Sequence, residues 1–115
     1  MQINQNIFRA YDIRGIASED LSDEFVTALG SALSHQIKKL GLKQVTVARD
    51  GRLSGERICS ALINSFLENG VNVINVGMVP SPLLYFAVEK FKTKNGVMIT
   101  GSHNPKEYNG FKIIL

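Results

Sequence analysis

The sequence predicts an α/β fold with three parallel strands and a fourth strand returning antiparallel. Two observations carry that prediction. Three short, β-branched apolar runs alternate with helix-period patterns, and a fourth run follows the third too closely for a helical crossover. At 115 residues, 44% hydrophobic and 20% charged, the chain suits one compact soluble domain spanning residues 1–115.

The first patterned segment is Phe8-Arg9-Ala10-Tyr11-Asp12-Ile13-Arg14-Gly15. It alternates as an edge strand does, but Arg9, Asp12 and Arg14 crowd it with charge. Alone it is a weak signal, although Arg14-Gly15 can aim a guanidinium fork at a phosphate. Ser22 then reads as an N-cap, with Asp23 and Glu24 in the first turn of a helix. Phe25, Leu29, Leu33, Ile37 and Leu40 form its stripe, and Gly41 stops it.

Val45-Thr46-Val47-Ala48 is the first buried strand. A helix from Ser54 follows, striped by Ile58, Leu62 and Phe66 and ended by Asn69-Gly70. The second strand is Val71 to Val76. Pro80-Ser81-Pro82 opens a third helix, with Ser81 as N-cap and Pro82 at the first helical position. That helix is apolar nearly all round, so burial on more than one side is expected, against the sheet and against another domain. Val97-Met98-Ile99-Thr100 is the third strand.

Strand, helix, strand, helix, strand makes two βαβ units with parallel strands. Only about ten residues, without a helical pattern, separate the third strand from Phe111 to Leu115, whereas a parallel return needs roughly a dozen or more. A hairpin is therefore expected, its tip holding Ser102 to Asn109 and its turn chemistry supplied by Tyr108-Asn109-Gly110.

Composition narrows the function classes. The net charge of +3 suits anionic small molecules. No basic stripe interleaves with aromatics, so no nucleic-acid role is expected. No apolar run reaches the roughly 20 residues of a membrane helix. The one cysteine, Cys59, allows no internal disulfide. With a polar Met1 to Asn6 opening, a cytoplasmic location is the expectation. GxxxxGK[ST], GxGxxG, DxDxD and cysteine–histidine metal spacings are all missing, so a Mg²⁺ site would have to borrow ligands from outside this chain.

The hairpin tip carries the strongest chemistry. Gly101 permits close backbone approach, Ser102 offers a hydroxyl, and Asn104-Pro105 stiffens the turn. His103, Lys106 and Lys112 bring titratable or positive groups. A serine bearing phosphate gains about −1.5 to −2 charges and needs cations and amides around it. Residue chemistry alone leaves a polar surface hairpin equally open. A protease-like Ser102–His103 pairing is set aside, because adjacent residues of an extended chain point apart. Lys112 interrupts an apolar strand, which leaves it either a solvated edge residue or a phosphate partner. Arg49-Asp50-Gly51-Arg52-Leu53-Ser54 follows the first strand where ligands of open α/β sheets gather; a charged loop with a capping Ser54 is the plainer reading.

Together, FRAYDIRG at 8–15, ARDGRLSG at 48–55, VGMVPSP at 76–82 and TGSHNP followed by YNGFK within 96–112 resemble the α-D-phosphohexomutase family, in its phosphomannomutase/phosphoglucomutase branch. The four motifs are collinear over nearly the whole chain.

The resemblance implies the phosphoserine-bearing first domain of a four-domain enzyme. It implies a three-layer α/β/α fold with a four-stranded mixed sheet, order 2-1-3-4, last strand antiparallel. That order brings the Asp50–Ser54 turn beside the Ser102 loop. Ser102 would be the phosphoserine and a Mg²⁺ ligand through its phosphate, the other metal ligands lying elsewhere. Arg14, His103 and Lys112 would share the catalytic site, Lys112 as a candidate general acid/base, while Tyr11, Arg14 and Asn104 would bind substrate.

Hexose phosphates are the implied substrates and hexose 1,6-bisphosphate the implied activator. A phosphoglucosamine mutase domain and a non-catalytic sugar-phosphate-binding module are the alternatives. Oligomeric state is left open. The chain stops within an apolar strand, so a fragment is expected, and the resemblance, which puts the sugar-recognition loops in later domains, implies that it cannot complete turnover alone.

Overall fold

A computed structural model describes residues 8–9, 12–102 and 104–114. Strands β1 (Phe8–Arg9), β2 (Asp12–Ile16), β3 (Gln44–Arg49), β4 (Asn72–Met78), β5 (Gly96–Ile99) and β6 (Tyr108–Ile114) form one sheet, ordered β1-β2-β6-β5-β3-β4. β3 pairs parallel with β4 and β5, while β6 runs antiparallel to both β5 and β2. The four-stranded expectation is corrected: the N-terminal segment adds an antiparallel hairpin beside β6. The charges of Asp12 and Arg14 are accommodated in β2 because alternation puts both on one face of the sheet.

Helices α1 (Asp23–Lys39) and α2 (Gly55–Glu68) cover one face, and α3 (Ser81–Phe91) packs over β3 and β5 on the other. The first face holds the main core, where Val26, Ile37, Ile58, Leu62 and Phe66 meet Ile13, Val45, Val47, Val97, Ile99 and Phe111. Each such side chain contributes about 1.5–3 kcal/mol through burial. α1 and α2 approach closely at Gly30, where a Cβ would lie 2.4 Å from Ser65 Oγ. The Ser22 hydroxyl accepts from Phe25 N at 3.1 Å, the expected N-cap.

α3 departs from expectation. Pro80 is its N-cap, so Ser81 is the first helical residue and Pro82 the second. Leu84 and Ala87 are buried, but Leu83, Tyr85, Phe86 and Phe91 are 46–62% exposed. The all-round apolar pattern therefore buries one side only within this chain. Leu40, expected in the stripe of α1, is its exposed C-cap.

Alternation along the two antiparallel strands sorts the sheet. Asp12 pairs with Lys112, Ile13 with Phe111 and Arg14 with Gly110. Ile13 and Phe111 enter the main core, so Asp12, Arg14, Gly110 and Lys112 share the opposite face. Because α3 lies over β3 and β5, that charged stretch stays outside its footprint. Lys112 is not on an edge strand, since β2 and β5 flank β6; it is half-buried there.

Candidate functional site

β3 and β5 end side by side. The connection after β3 leads to α2, whereas the one after β5 turns back into β6. Two loops therefore meet at the carboxyl ends of parallel strands, where sheets of this kind bind ligands. Asp50 ties them together. Its Oδ2 accepts from Thr100 Oγ1 at 2.7 Å and from Gly101 N at 3.1 Å, and its Oδ1 accepts from Arg52 N at 3.2 Å. Thr100 Oγ1 in turn accepts from Ser102 N at 3.0 Å.

Ser102 is exposed and sits at φ +52°. A non-glycine residue in this left-handed region persists only where its surroundings enforce it, and such residues gather at functional sites. An extended chain at Ser102, the premise for setting aside a Ser102–His103 pairing, is not what forms. Tyr11 and His103 themselves lie outside the described residues.

Arg14 meets the serine hydroxyl, donating from Nη2 to Ser102 Oγ at 2.9 Å. The side chain is only 7% exposed, so this positive charge is largely withdrawn from water. Its Nη1 donates to the Ile13 carbonyl at 3.1 Å and lies 2.7 Å from Asp12 Oδ1, an ion pair without hydrogen-bond alignment. Space for the guanidinium comes from Gly110. A Cβ there would lie 1.9 Å from the Ile13 carbonyl oxygen and 2.7 Å from Arg14 Nη1. Fixed by strand pairing, a bonded carbonyl and a carboxylate, Arg14 is a preorganised cation at one hydroxyl.

The other expected site residues divide. Lys112 shares the face of Arg14, but its side chain makes no hydrogen bond or ion pair with the described residues. Asn104 donates from its backbone N to Gly101 O at 3.0 Å, and with Ser18, Arg52, Arg57 and Lys106 it lines an open cavity of about 930 Å³. Neither Ser102 nor Arg14 lines that cavity. Ser54 is the N-cap residue of α2, but its side chain makes no capping bond. In helical conformation, its hydroxyl instead accepts from Asn109 Nδ2 at 2.9 Å, linking the α2 start to β6. Asn109 is fully buried and belongs to β6, so Tyr108–Gly110 is strand rather than turn.

Sequence reasoning missed Thr100 as a brace and Asp12 as the partner of Arg14. Thr100 had a local signal: a threonine two residues before a serine can accept from its amide. Cys59 stays a packing residue; burial pushes its thiol pKa up against a smaller opposing effect of Arg49.

No three His, Cys, Asp or Glu side chains gather as a metal site among the described residues. Asp50 and Asp12 are already committed to hydrogen bonds and an ion pair. At the loop tip Ser102 is exposed and presents a hydroxyl oxygen. No helix among the described residues is long and apolar enough to cross a membrane.

Fold and site define a class: a three-layer α/β/α domain presenting an arginine-held serine where its strand connections diverge. Comparison with known proteins gives the family. The family described as phosphoglucomutase/phosphomannomutase, alpha/beta/alpha domain I, matches residues 5–115, and this chain belongs to it. A phosphoglucomutase of Neisseria meningitidis serogroup B is 47% identical over 113 residues, covering 98% of this chain and 25% of the relative. A phosphomannomutase/phosphoglucomutase of Pseudomonas putida is 49% identical over 110 residues, covering 96% and 24%. The crystal structure of a phosphoglucomutase/phosphomannomutase family protein from Burkholderia thailandensis superposes with a TM-score of 0.90 at 41% identity, covering 99% of this chain and 27% of that one. The chain thus spans about a quarter of the length of the curated relatives it matches.

Proposed function

We propose that this domain carries the phosphoryl group of a phosphohexomutase, which interconverts hexose 1-phosphate and hexose 6-phosphate of mannose or glucose. The supporting observation is the 2.9 Å contact from the buried Arg14 guanidinium to the exposed Ser102 hydroxyl. A phosphate on Ser102 Oγ would bring its dianion onto a cation already desolvated and oriented, where charge-assisted hydrogen bonds are strongest.

In the forward half-reaction the bond from phosphorus to Ser102 Oγ breaks as one forms to the free hydroxyl of the hexose monophosphate. That hydroxyl's proton passes to a base, Ser102 Oγ takes up a proton as it leaves, and the product is a bisphosphorylated sugar. After reorientation of the sugar, its other phosphate returns to Ser102 Oγ, which gives up its proton while the released sugar oxygen gains one, restoring the phosphoserine and freeing the isomeric monophosphate. Arg14 orients the transferring group and offsets its charge.

Lys112 is the candidate acid/base on the same face, with His103 beside the serine in sequence. Tyr11 and Asn104 are the candidate substrate contacts. Mg²⁺, when bound, would supply further charge neutralisation at the phosphate. Ser102 is the residue of this chain suited to meet it, the remaining ligands belonging to other domains. A cytoplasmic location and hexose 1,6-bisphosphate as activator complete the reading.

The full-length protein incubated with hexose 1,6-bisphosphate should acquire one phosphoryl group, mapped to Ser102 by peptide mass spectrometry, and Ser102→Ala should acquire none. Phosphate mapping to another residue, or none on a protein that folds normally, would refute the assignment.

A further inference from the structure

Arg52 is the most heavily bonded side chain at the loop, yet it touches no side-chain oxygen of Ser102. Its Nη2 donates to the carbonyls of Ser102 at 2.9 Å and Asn104 at 2.8 Å. Its Nη1 donates to the carbonyl of Tyr108 at 3.1 Å and to that of Pro105. Nε lies 3.5 Å from Asp50 Oδ2, and the side chain is 15% exposed. A guanidinium has five N–H donors in a fixed plane, and here both terminal nitrogens are spent on one loop's backbone. Gly101 makes this possible: a Cβ there would lie 2.0 Å from Arg52 Cζ.

The consequence concerns the serine. With the carbonyls of residues 102, 104, 105 and 108 turned toward one cation, the loop has little freedom to rotate Ser102 out of φ +52°. A left-handed serine is strained and needs such enforcement. Asp50 works on the same loop from the other side through Thr100 and Gly101. The two cations near Ser102 therefore divide the labour: Arg14 holds the hydroxyl, and Arg52 holds the backbone that presents it.

We infer that Arg52 is a positioning residue, a template that fixes the Ser102 loop in its phosphoryl-accepting conformation rather than an anion-binding group. The kinetic half of this inference rests on the phosphohexomutase reading; the conformational half does not. Arg52→Gln and Arg52→Lys in the full-length protein test both. Lysine keeps the charge but has no planar fork to reach four diverging carbonyls.

Amide hydrogen exchange, followed by mass spectrometry on peptides spanning 100–108, should accelerate about tenfold or more in both variants. Peptides of β3 and α2 should keep their rates. On hexose phosphate, kcat should fall about 10- to 100-fold with KM nearly unchanged, as expected when a reacting group is misplaced. Unaltered exchange in 100–108, restoration of kcat by lysine, or a rise in KM at constant kcat would each overturn the inference. Faster exchange in the variants, alongside a wild-type protein that never phosphorylates Ser102, would uphold the loop template and count against the mutase reading instead.

Discussion

The sheet face under α1 and α2 and the face that α3 half covers are made by the same strands, residue by alternate residue. On the first, Ile13, Val47, Val97, Ile99 and Phe111 meet two helices in one continuous apolar cluster. On the second, the buried apolar cluster is Ala48, Leu84 and Met98. Beyond α3's footprint that face carries Asp12, Arg14 and Lys112. Neighbouring residues of β2 and β6 thus serve opposite purposes, one set supplying burial energy and the other holding charge, with Arg14 buried and Asp12 and Lys112 half-buried. The fully packed face lets the half-open one hold a buried arginine and a left-handed serine, both of which cost stability.

Two substitutions of one residue type probe that contrast. Phe66 is fully buried between α2 and the sheet. Phe66→Ala should lower unfolding free energy by about 3–5 kcal/mol in urea titration; a loss below about 1 kcal/mol would mean that the α1/α2 face does not carry the fold. Phe86, on α3, is 62% exposed. Phe86→Ser in the 115-residue chain should change stability by no more than about 0.5 kcal/mol, and a larger loss would give the second face a core that the structure does not show.

Much of this division was legible in the sequence. β-Branched runs spaced by helical stripes located β3, β4, β5 and the three helices, and the short connection before Phe111 gave the antiparallel return of β6. The Ser102 loop was found by its residue types, and its meeting with the Asp50–Ser54 turn followed from the strand order that the family resemblance implied.

The rest depended on tertiary contacts that no local pattern encodes. The β1–β2 hairpin hid because so charged a segment looks unlike a strand until β6 lies beside β2. Ser54 reads as a cap but is drawn to Asn109, more than fifty residues away. Lys112 reads equally as an edge residue and as a phosphate partner, and the edge alternative falls only when β2 closes the other side of β6. The left-handed turn at Ser102 had no sequence signal, because serine seldom adopts that conformation without external restraint. The apolar pattern of α3 signalled burial against the sheet and against a further domain, and the described residues cover the side that meets the sheet.

The central claim is that a buried cation on the open face makes the Ser102 hydroxyl a phosphoryl carrier. The most direct test is the rate at which full-length Arg14→Ala takes phosphate from hexose 1,6-bisphosphate onto Ser102, followed by rapid quench and mass spectrometry. Loss of a preorganised electrostatic partner should slow that step by about 10²–10³. Transfer to Ser102 at the wild-type rate, in a variant that remains folded, would contradict the account.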